Sequence, residues 1–413
     1  MAATGNTPEM VDIGEAHAIV CRTVRPGLTE HVPLDQAVNR TLAAPIQTDI
    51  AFPPFTRAVM DGFAVIAADT CADGCVLRIL GRSPAGGMFA GKIESGECVR
   101  INTGAPIPPG ADAVVRIEDC EIHAEGHSVA IMKGVTPNTF VSRKATFASE
   151  GQEVIAAGMR LMPLEIAAAA SAGAADVEVY RRPQIAILST GDELVDVDVK
   201  PAEGQIRNSN AYLLASAIER AGAVPHPLGV ARDDIESLLT CVKRGLTCDA
   251  ICVTGGVSMG DRDYVPDVLD ACGVTFHFRK MRIKPGRPTL FGSTNGGSLA
   301  FALPGNPVSA FIGFEFLVRP ALRIMQGLPA APPIFESAKL DGSLTVTRDR
   351  RAFRPARTSV DHDGKTWVRP LRWHGSGDPF GMAGADCLIV QPPDDDAQSH
   401  GDHVMIHRLG DGL

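Results

Sequence analysis

The spacing of apolar residues changes several times along the chain, and each spacing predicts a different kind of element. Ile13 to Val24 and Leu34 to Leu42 carry apolar residues at helical intervals, so residues 1–50 are predicted to be helical. From residue 51 onward, short alternating or β-branched runs are separated by Gly and Pro, which predicts a small all-β module. The strands predicted for this module are Cys75–Leu80, Cys98–Asn102, Ala113–Ile117 and Val129–Met132.

A helical pattern returns at Leu164–Ala175 and closes the β module, so the helical segments on its two sides are expected to pack together. Residues 183–325 then alternate between apolar strands and helices, which is typical of a parallel sheet covered by helices. The predicted strands are Ile185–Leu188, Ala223–Val230, Ala250–Val253 and Leu299–Leu303, and the predicted helices are Ala211–Ala221, Ile235–Arg244 and Val308–Met325.

After a proline-rich stretch at 329–333 the pattern becomes β again. Short strands near Ala338–Val346, Thr366–Leu371, Cys387–Val390 and His403–Arg408 predict a small C-terminal barrel. The fold class is therefore a multidomain α/β and β protein with a parallel-sheet α/β domain. The predicted domains are a discontinuous helical domain (1–50 plus 140–180), a β insert (51–139), the α/β domain (181–329) and a C-terminal β-barrel (330–413).

Composition narrows the classes of partner. The chain has 39 Lys and Arg against 48 Asp and Glu, a formal net charge of −9. Nucleic acids and anionic membranes are bound through basic surfaces, so neither is an expected partner. The longest apolar run, Ile166–Ala175, is far shorter than the ~20 residues of a membrane span, and no signal-peptide pattern is seen. The 10 cysteines form no C-x-x-C pair, which favours reduced thiols in a cytoplasmic protein.

Four predicted strands of the α/β domain end in loops rich in polar residues and glycine. Ligands of open parallel sheets bind beyond the carboxyl ends of the strands, so these loops are expected to form one site. Taken alone, the first loop could be the start of a capped helix, but four such loops at one edge favour a ligand site. The loops are Ser189–Glu193, Arg232–Asp234, Thr254–Asp263 and Leu303–Ser309.

The third and fourth loops favour an anionic ligand. Gly255, Gly256 and Gly260 expose backbone N–H groups and Ser258 adds a hydroxyl, so this loop is predicted to be an anion-binding nest, although a lone glycine loop is more often a turn. In the fourth loop, Asn306 is predicted to cap a helix that begins at the next residue. The N-terminus of that helix would point at the site.

A basic segment, Lys280 to Pro288, lies between these two loops in sequence. It could be a solvated basic loop, but two prolines and a glycine restrict its backbone and would hold Lys284 and Arg287 in place. These cations are expected to share one cleft with the carboxylates of the first two loops. Such a combination favours an anionic substrate that binds together with a divalent metal. Mg²⁺ is the expected metal, because the candidate ligands are hard oxygens.

Two further motifs lie in the β insert, at 53–65 and 102–114. Their prolines and glycines predict turns, and the turns would hold Asp61 and Thr103 as polar groups on a rigid backbone. No Ser/His/Asp triad, phosphate-binding P-loop or dinucleotide-binding glycine motif occurs in the sequence.

Taken together, the motifs resemble the molybdopterin molybdenumtransferase family, the MoeA and gephyrin E-domain family. The matching segments run in family order across roughly 50–310, and the family's four-domain architecture agrees with the segmentation above. They are P-P-F…M-D-G-F-A-V at 53–65, N-T-G-A-P-I-P-P-G-A-D-A-V-V at 102–115, S-T-G-D-E-L at 189–194, G-Q-I-R-N-S-N at 204–210, T-G-G-V-S-M-G-D-R-D-Y at 254–264, K-P-G-R-P at 284–288 and L-P-G-N-P-V-S-A at 303–310.

The resemblance implies a Mg²⁺-dependent reaction in which molybdate reacts with adenylylated molybdopterin, molybdenum enters the dithiolene and AMP is released. It implies a homodimer in which Asp61 and Thr103 complete the neighbour's site. The protein that adenylylates molybdopterin and the molybdoenzyme apoproteins are the implied protein partners.

The family's functional residues are carried over position by position. Lys284, Arg287 and Ser309 would bind molybdate, with an arginine from Arg348, Arg350 or Arg351. The implied catalytic residues are Asp61, Thr103, Glu193, Asp233, Asp263, Lys280 and Lys284, of which Glu193, Asp233 and Asp263 would bind the metal. The implied substrate-binding residues are Gly255, Gly256, Ser258, Gly260, Arg287, Pro304, Asn306 and Ser309.

Two segments depart from the family pattern. Thr56-Arg57-Ala58-Val59 replaces the D-N-S-A that usually precedes M-D-G, and Ala145-Thr146-Phe147 replaces a Gly-Glu-Asp. Two alternatives therefore stay open. One is a paralogue that binds molybdopterin without turnover, and the other is a nucleotide-cleaving hydrolase on the same α/β domain, whose relatives lack the β insert and the barrel.

Overall fold

A computed structural model describes residues 9–71, 74–123, 125–257 and 264–410. The chain divides into two compact units. The first, here called the α/β unit, comprises Met1–Glu30, Asn39–Thr41 and Val179–Leu413. The second, here called the β unit, comprises His31–Val38 and Leu42–Glu178.

Helices and strands alternate mainly between residues 163 and 325, and strands predominate before and after that region. Single 3₁₀ turns lie at Leu34–Gln36, Ala67–Thr70 and Ile117–Asp119. The α-helices are α1 (Ile13–Thr23), α2 (Pro163–Ser171), α3 (Ser209–Arg220), α4 (Ile235–Gly245), α5 (Val265–Ala271), α6 (Pro307–Gly313) and α7 (Arg319–Met325), with a π-helical turn at Phe314–Val318.

The strands fall into the N-terminal and C-terminal parts of the chain. Those up to residue 180 are β1 (Met10–Val11), β2 (Thr29–Pro33), β3 (Ile46–Gln47), β4 (Arg57–Ala58), β5 (Gly62–Val65), β6 (Cys75–Ser83), β7 (Glu97–Ile101), β8 (Ala113–Arg116), β9 (Cys120–Ile122), β10 (Ser128–Ile131), β11 (Val141–Ser142), β12 (Glu153–Ile155) and β13 (Asp176–Tyr180). The later ones are β14 (Gln184–Thr190), β15 (Leu194–Val195), β16 (Ile206–Arg207), β17 (Val224–Ala231), β18 (Ala250–Thr254), β19 (Val274–Phe278), β20 (Lys280–Met281), β21 (Ile283–Lys284), β22 (Leu290–Thr294), β23 (Leu299–Leu303), β24 (Glu336–Leu340), β25 (Arg351–Val360), β26 (Thr366–Pro370), β27 (Cys387–Gln391) and β28 (His403–Arg408).

Helix α1 begins at a capping box, which fixes its start. The Glu15 N–H donates to Asp12 Oδ1 at 2.8 Å, and the Asp12 N–H donates to Glu15 Oε2 at 2.9 Å. Its apolar face, which includes Ile19 and Val20, lies in the core of the α/β unit. Helix α2 belongs to the β unit. The discontinuous helical domain and the four domain boundaries stay a prediction.

The predicted helix at Leu34–Leu42 is wrong. The segment forms one 3₁₀ turn, in which the Ala37 N–H donates to the Leu34 carbonyl, three residues back, at 3.1 Å. Asn39 then takes a left-handed backbone conformation with φ +64°, which ends any helical run. Local apolar spacing is misleading here because Pro33 and Asn39 bound a stretch too short to propagate a helix.

A six-stranded sheet in the order β8-β5-β7-β6-β10-β9 forms the centre of the β unit. Its central strand β5 is buried on both faces. Phe63 and Val65 lie in one apolar cluster, and Ala64 lies in the cluster on the opposite face. The sheet contains all four strands that the sequence predicts for the β insert, and it adds β5 and β9.

The α/β unit is built on a six-stranded sheet in the order β17-β14-β18-β23-β22-β19. The first four strands are parallel and include every strand predicted for this region. Strands β22 and β19 add an antiparallel edge that the sequence patterns did not predict. From β14 the chain crosses to β17 on one side and returns to β18 on the other, so the carboxyl ends of β14 and β18 border the crevice where such sheets bind ligands.

The C-terminal strands close into a barrel, which confirms the predicted fold class. Its five strands pair in the cycle β25-β26-β24-β28-β27-β25. Strand β25, the longest of the barrel, was missed because three arginines and Pro355 obscure its pattern. Strand β21 of the basic segment pairs with β25 in parallel, which joins the barrel to the rest of the α/β unit.

Among the helices that the structure describes, none is both long and apolar enough to cross a membrane.

Replacing Phe353 by Ala is expected to lower the free energy of unfolding of the α/β unit by about 3–5 kcal/mol. Phe353 is 1% exposed, and its ring centroid lies 4.6 Å from that of Phe316. Val360→Ala is the control, because Val360 lies on the same strand and is 68% exposed. Thermal unfolding followed by calorimetry measures both variants, and equal midpoints would contradict the core assignment.

Candidate functional site

The sheet register brings the four predicted loops side by side at one edge. Thr190 of β14 is in register with Ala231 of β17, and Ser189 is in register with Thr254 of β18. Thr254 is in turn in register with Leu303 of β23. The chain segments that follow these strands therefore start from one row at the carboxyl edge of the sheet.

Carboxylates from the first two loops interlock. The Thr190 hydroxyl donates to Asp233 Oδ1 at 2.7 Å. The Asp233 N–H donates to Asp192 Oδ1 at 3.3 Å, and the Asp192 N–H approaches Asp233 Oδ2 at 3.4 Å. The Glu193 carboxylate lies over Gly191, where an added Cβ would be 2.6 Å from both of its oxygens. The loop continues into strand β15, so the interpretation as a capped helix start is wrong.

This donor set fits Mg²⁺ as a partial shell. In the part of the chain that the structure describes, no three His, Cys, Asp or Glu side chains are grouped to hold a metal by themselves. Mg²⁺ usually takes one or two carboxylates and completes its octahedron with water and substrate phosphate oxygens. Glu193 and Asp233 supply such hard oxygens. Asp263, the third predicted ligand, lies outside the described residues.

The glycines of the third loop are required by close packing. Gly255 and Gly256 have φ of +90° and +61°. A Cβ on Gly255 would lie 2.5 Å from the Thr190 carbonyl oxygen, and one on Gly256 would lie 2.7 Å from a Val265 methyl. The Gly255 N–H donates to the Leu303 carbonyl at 3.2 Å, so this amide serves the sheet edge rather than a nest. Ser258 and Gly260 lie outside the described residues.

The fourth loop departs from its predicted geometry in one respect. Asn306 occupies the N-cap position of α6, but its side chain makes no capping bond. Its Nδ2 instead donates to Ser376 Oγ at 2.9 Å, because the Ser376 loop lies against this turn and also accepts the Val308 N–H at 3.1 Å. Pro304 and Ser309 are buried, and Ser309 is only 3% exposed.

Two asparagines at the start of α3 belong to the family motif at 204–210, but the sequence predicts no functional role for them. Asn208 Oδ1 accepts the buried Ser189 hydroxyl at 3.0 Å and the Ala211 N–H at 3.3 Å. Asn210 Nδ2 donates to the Gly305 carbonyl at 2.7 Å, and its buried Oδ1 has no hydrogen-bond partner among the described residues. These residues link α3 to the first and fourth loops. The signal that could have found them is the placement of amides immediately before an apolar helix.

The basic segment folds back on itself. The Met281 N–H donates to the Arg287 carbonyl at 2.9 Å, which places Lys280 and Arg287 side by side. Both line a cavity of about 320 Å³. Lys280 also forms an ion pair with Glu9.

Lys284 lies at the other end of this segment, exposed on strand β21. Its strand neighbour Ile283 is in register with Arg351 of β25. Of the candidate molybdate arginines, Arg351 stacks on the Phe335 ring at 5.6 Å, and Arg350 Nε lies 3.3 Å from Asp349. The structure therefore separates Lys284 from the cavity that Lys280 and Arg287 line.

In the β unit, Asp61 and Thr103 are brought together although 42 positions separate them in sequence. Asp61 Oδ1 accepts the Thr103 N–H at 2.7 Å and an Asn102 amide N–H at 3.2 Å. These hydrogen bonds stabilise the ionised carboxylate and hold the pKa of Asp61 below its ordinary value. Both residues are exposed, as a site that receives a ligand requires.

The two segments that depart from the family pattern lie beside this turn and beside each other. Strand β4, within 56–59, pairs with β11, and Thr56 Oγ1 accepts the Lys144 N–H at 3.3 Å. The Gly104 N–H donates to the Ala58 carbonyl at 2.8 Å. Most of these hydrogen bonds are made by main-chain groups, which do not depend on which side chain the residue carries. The departures therefore leave the backbone that holds Asp61 and Thr103 intact.

Gly255→Ala is expected to destabilise the protein more than Gly297→Ala. Gly255 and Gly297 have almost the same φ, +90° and +89°, so both variants carry a left-handed strain of about 1–2 kcal/mol. Only the Cβ at 255 meets backbone, 2.5 Å from the Thr190 carbonyl, whereas nothing lies within 4 Å at 297. Equal urea-unfolding midpoints for the two variants would show that the loop can move away and would contradict the close packing.

Comparison with known proteins covers nearly the whole chain. The family model described as MoeA N-terminal region (domain I and II) matches residues 11–173. The probable molybdopterin binding domain matches residues 186–324, and the MoeA C-terminal region (domain IV) matches residues 337–409.

Individual relatives agree over the same extent. The molybdopterin molybdenumtransferase of Nostoc sp. is 31% identical over 389 residues, 92% of this chain and 89% of the relative. That of Bacillus subtilis is 33% identical over 394 residues, 94% and 90% of the two chains. The crystal structure of the molybdopterin biosynthesis MoeA protein of Pyrococcus horikoshii superposes with a TM-score of 0.81 at 30% identity, over 97% of this chain and 99% of that one. As its motifs led us to expect, the chain belongs to the molybdopterin molybdenumtransferase family.

Proposed function

We propose that this protein inserts molybdenum from molybdate into adenylylated molybdopterin and releases AMP, in a reaction that depends on Mg²⁺. The observation that carries the proposal is the arrangement at the carboxyl edge of the sheet. Interlocked carboxylates follow β14 and β17, and a rigid cationic segment belongs to the same α/β unit. The reaction needs carboxylates that can bind the metal ion and cations that can bind the anionic substrates.

Each group has a role in this proposal. Glu193 and Asp233 would hold Mg²⁺, which would neutralise charge on the phosphates as the bond to AMP breaks. The Thr190 hydroxyl keeps Asp233 oriented for this task through its 2.7 Å hydrogen bond. Lys284 pairs with the molybdate dianion, because its exposed ammonium is accessible to a small anion.

The proposal includes a homodimer. Asp61 and Thr103 belong to the β unit, whereas the remaining site residues belong to the α/β unit. In the proposed dimer the β unit of one subunit completes the α/β site of the other. The protein that adenylylates molybdopterin supplies the substrate, and molybdoenzyme apoproteins take up the product.

The two alternatives are separated by one assay. AMP release from adenylylated molybdopterin is measured with and without molybdate. Stimulation by molybdate supports the transferase. Hydrolysis that ignores molybdate supports the hydrolase, and tight binding without release supports the non-catalytic paralogue. The transferase is favoured because the family match includes the β insert and the barrel.

Lys284→Ala is expected to weaken the molybdate dependence of AMP release by about ten- to hundredfold while affecting molybdopterin binding less. The substitution removes a charge-assisted contact worth about 1.5–3 kcal/mol. Lys365→Ala is the control, since Lys365 is an exposed cation paired with Asp363 on the barrel. An unchanged molybdate titration in Lys284→Ala would contradict the proposed molybdate site.

Asp61→Asn and Glu193→Gln are each expected to be nearly inactive alone and to recover activity when mixed. After subunit exchange about half of the molecules are heterodimers, and each of these has one intact site. Recovery to roughly a quarter of wild-type activity is therefore expected for a symmetric dimer with shared sites. No recovery despite demonstrated exchange would place Asp61 in its own subunit's site or outside the reaction.

A further inference from the structure

Three cations of the α/β unit line one cavity. Arg279, Lys280 and Arg287 surround a space of about 320 Å³, and the other described residues that line it are apolar, Pro288 and Leu290 among them. Lys280 and Arg287 are neighbours because the Met281 N–H donates to the Arg287 carbonyl at 2.9 Å. The family resemblance assigns no role to Arg279.

Arg279 is held in place although it is exposed. Its guanidinium carbon lies 4.4 Å from the ring centroid of Phe276, a residue that is 5% exposed. Stacking on a buried ring restricts the guanidinium, and no acceptor among the described residues binds its N–H groups. A planar guanidinium presents paired donors that match a phosphate better than a lysine ammonium does.

Lys280 has an anionic partner in the structure. Its side chain is 18% exposed, and it pairs with the carboxylate of Glu9, whose side chain is 74% exposed. Strand β1 pairs with β20 and places Met10 opposite Lys280, which brings Glu9 beside this lining residue of the cavity. The hydrogen bond from Lys280 holds the pKa of Glu9 below its ordinary value, and the charge of Arg287 acts in the same direction. Glu9 is thus the anionic partner of a partly buried ammonium, and a bound anion can take its place.

The size of the cavity distinguishes between anions. Pockets for small organic ligands measure about 300–1,000 Å³, and this cavity falls at the lower end of that range. A tetrahedral oxyanion such as molybdate would leave most of it empty. An organic phosphate fills both parts, since its phosphoryl oxygens meet the cations and its carbon skeleton meets the apolar walls.

We propose that this cavity binds a phosphate group of the organic substrate, that Arg279 is a substrate-binding residue, and that Glu9 occupies Lys280 until the phosphate displaces it. The inference rests on the proposed function, because it takes adenylylated molybdopterin as the substrate. That molecule carries two phosphoryl groups, one from the nucleotide and one from molybdopterin. Both have the chemistry that the cavity recognises.

The test is equilibrium binding to the full-length protein, measured by titration calorimetry with AMP and, separately, with molybdopterin. Arg279→Ala is expected to weaken binding of one of these probes about tenfold, the loss typical of a hydrogen bond to a charged group. Arg279→Lys keeps the charge without the planar fork and should fall between. Glu9→Gln should tighten binding about two- to fivefold, because a competing exposed ion pair is removed.

Two controls accompany these variants. Arg282→Ala removes an exposed cation of the same segment that does not line the cavity, and Glu336→Gln removes an exposed carboxylate paired with Arg408 on the barrel. Neither should change the binding of either probe. Molybdate titrations should be unchanged in Arg279→Ala, in contrast to Lys284→Ala.

The outcomes separate the possibilities. If Arg279→Ala weakens the binding of AMP, the cavity binds the nucleotide phosphate. If it weakens the binding of molybdopterin, the cavity binds the pterin phosphate. Dependence with neither probe, or a loss of molybdate binding alone, overturns the proposal, and no tightening in Glu9→Gln overturns the role of Glu9. Because these readouts need no turnover, a protein that binds through Arg279 but inserts no molybdenum would overturn the proposed function alone.

Discussion

The closeness of strands β14 and β18 at their carboxyl ends is the constraint on which the site depends. Gly255 sits so near the Thr190 backbone that a Cβ would lie 2.5 Å from its carbonyl oxygen. At the same edge, the Gly255 N–H donates to Leu303 of β23, and Thr190 holds Asp233, which follows β17. A parallel sheet fixes this spacing, because every strand end is hydrogen-bonded to its neighbour in register. The loops gain their positions from the sheet rather than from their own packing.

Electrostatics divides the site into parts with different tasks. The carboxylates after β14 and β17 each accept the other residue's backbone N–H, which fixes where their negative charge lies. The cations of the basic segment lie in two places. Lys280 and Arg287 line a cavity, whereas Lys284 lies exposed beside the barrel. A substrate with phosphates and a separate small dianion needs such a division. Glu9 gives the partly buried Lys280 an anionic partner.

Sequence patterns predicted the elements that are buried on both faces. Strands β14 and β18 contain the continuous apolar runs Ile185–Leu188 and Ala250–Val253 because both faces are covered, so these runs alone were enough to place their loops at one edge. The helix at Leu34–Leu42 failed because short apolar spacing cannot reveal the left-handed backbone at Asn39. Strand β25 was missed since its arginines and Pro355 are accommodated only by the barrel.

Site geometry was predictable only in part for a related reason. Motifs located Asp61 and Thr103, but their 2.7 Å contact follows from the pairing of β5 with β7, which no local pattern shows. The ion pair of Glu9 with Lys280 depends on the parallel pairing of β1 with β20, across 271 positions. Long-range pairing of this kind is tertiary information.

The most direct test of the account compares two quantities in one reaction of the purified protein. Adenylylated molybdopterin, molybdate and Mg²⁺ are supplied, and AMP released is measured together with the molybdenum bound to the recovered pterin by mass spectrometry. The account predicts equal amounts of the two, and loss of both when Mg²⁺ is withheld. Release of AMP with no molybdenum on the pterin would contradict it.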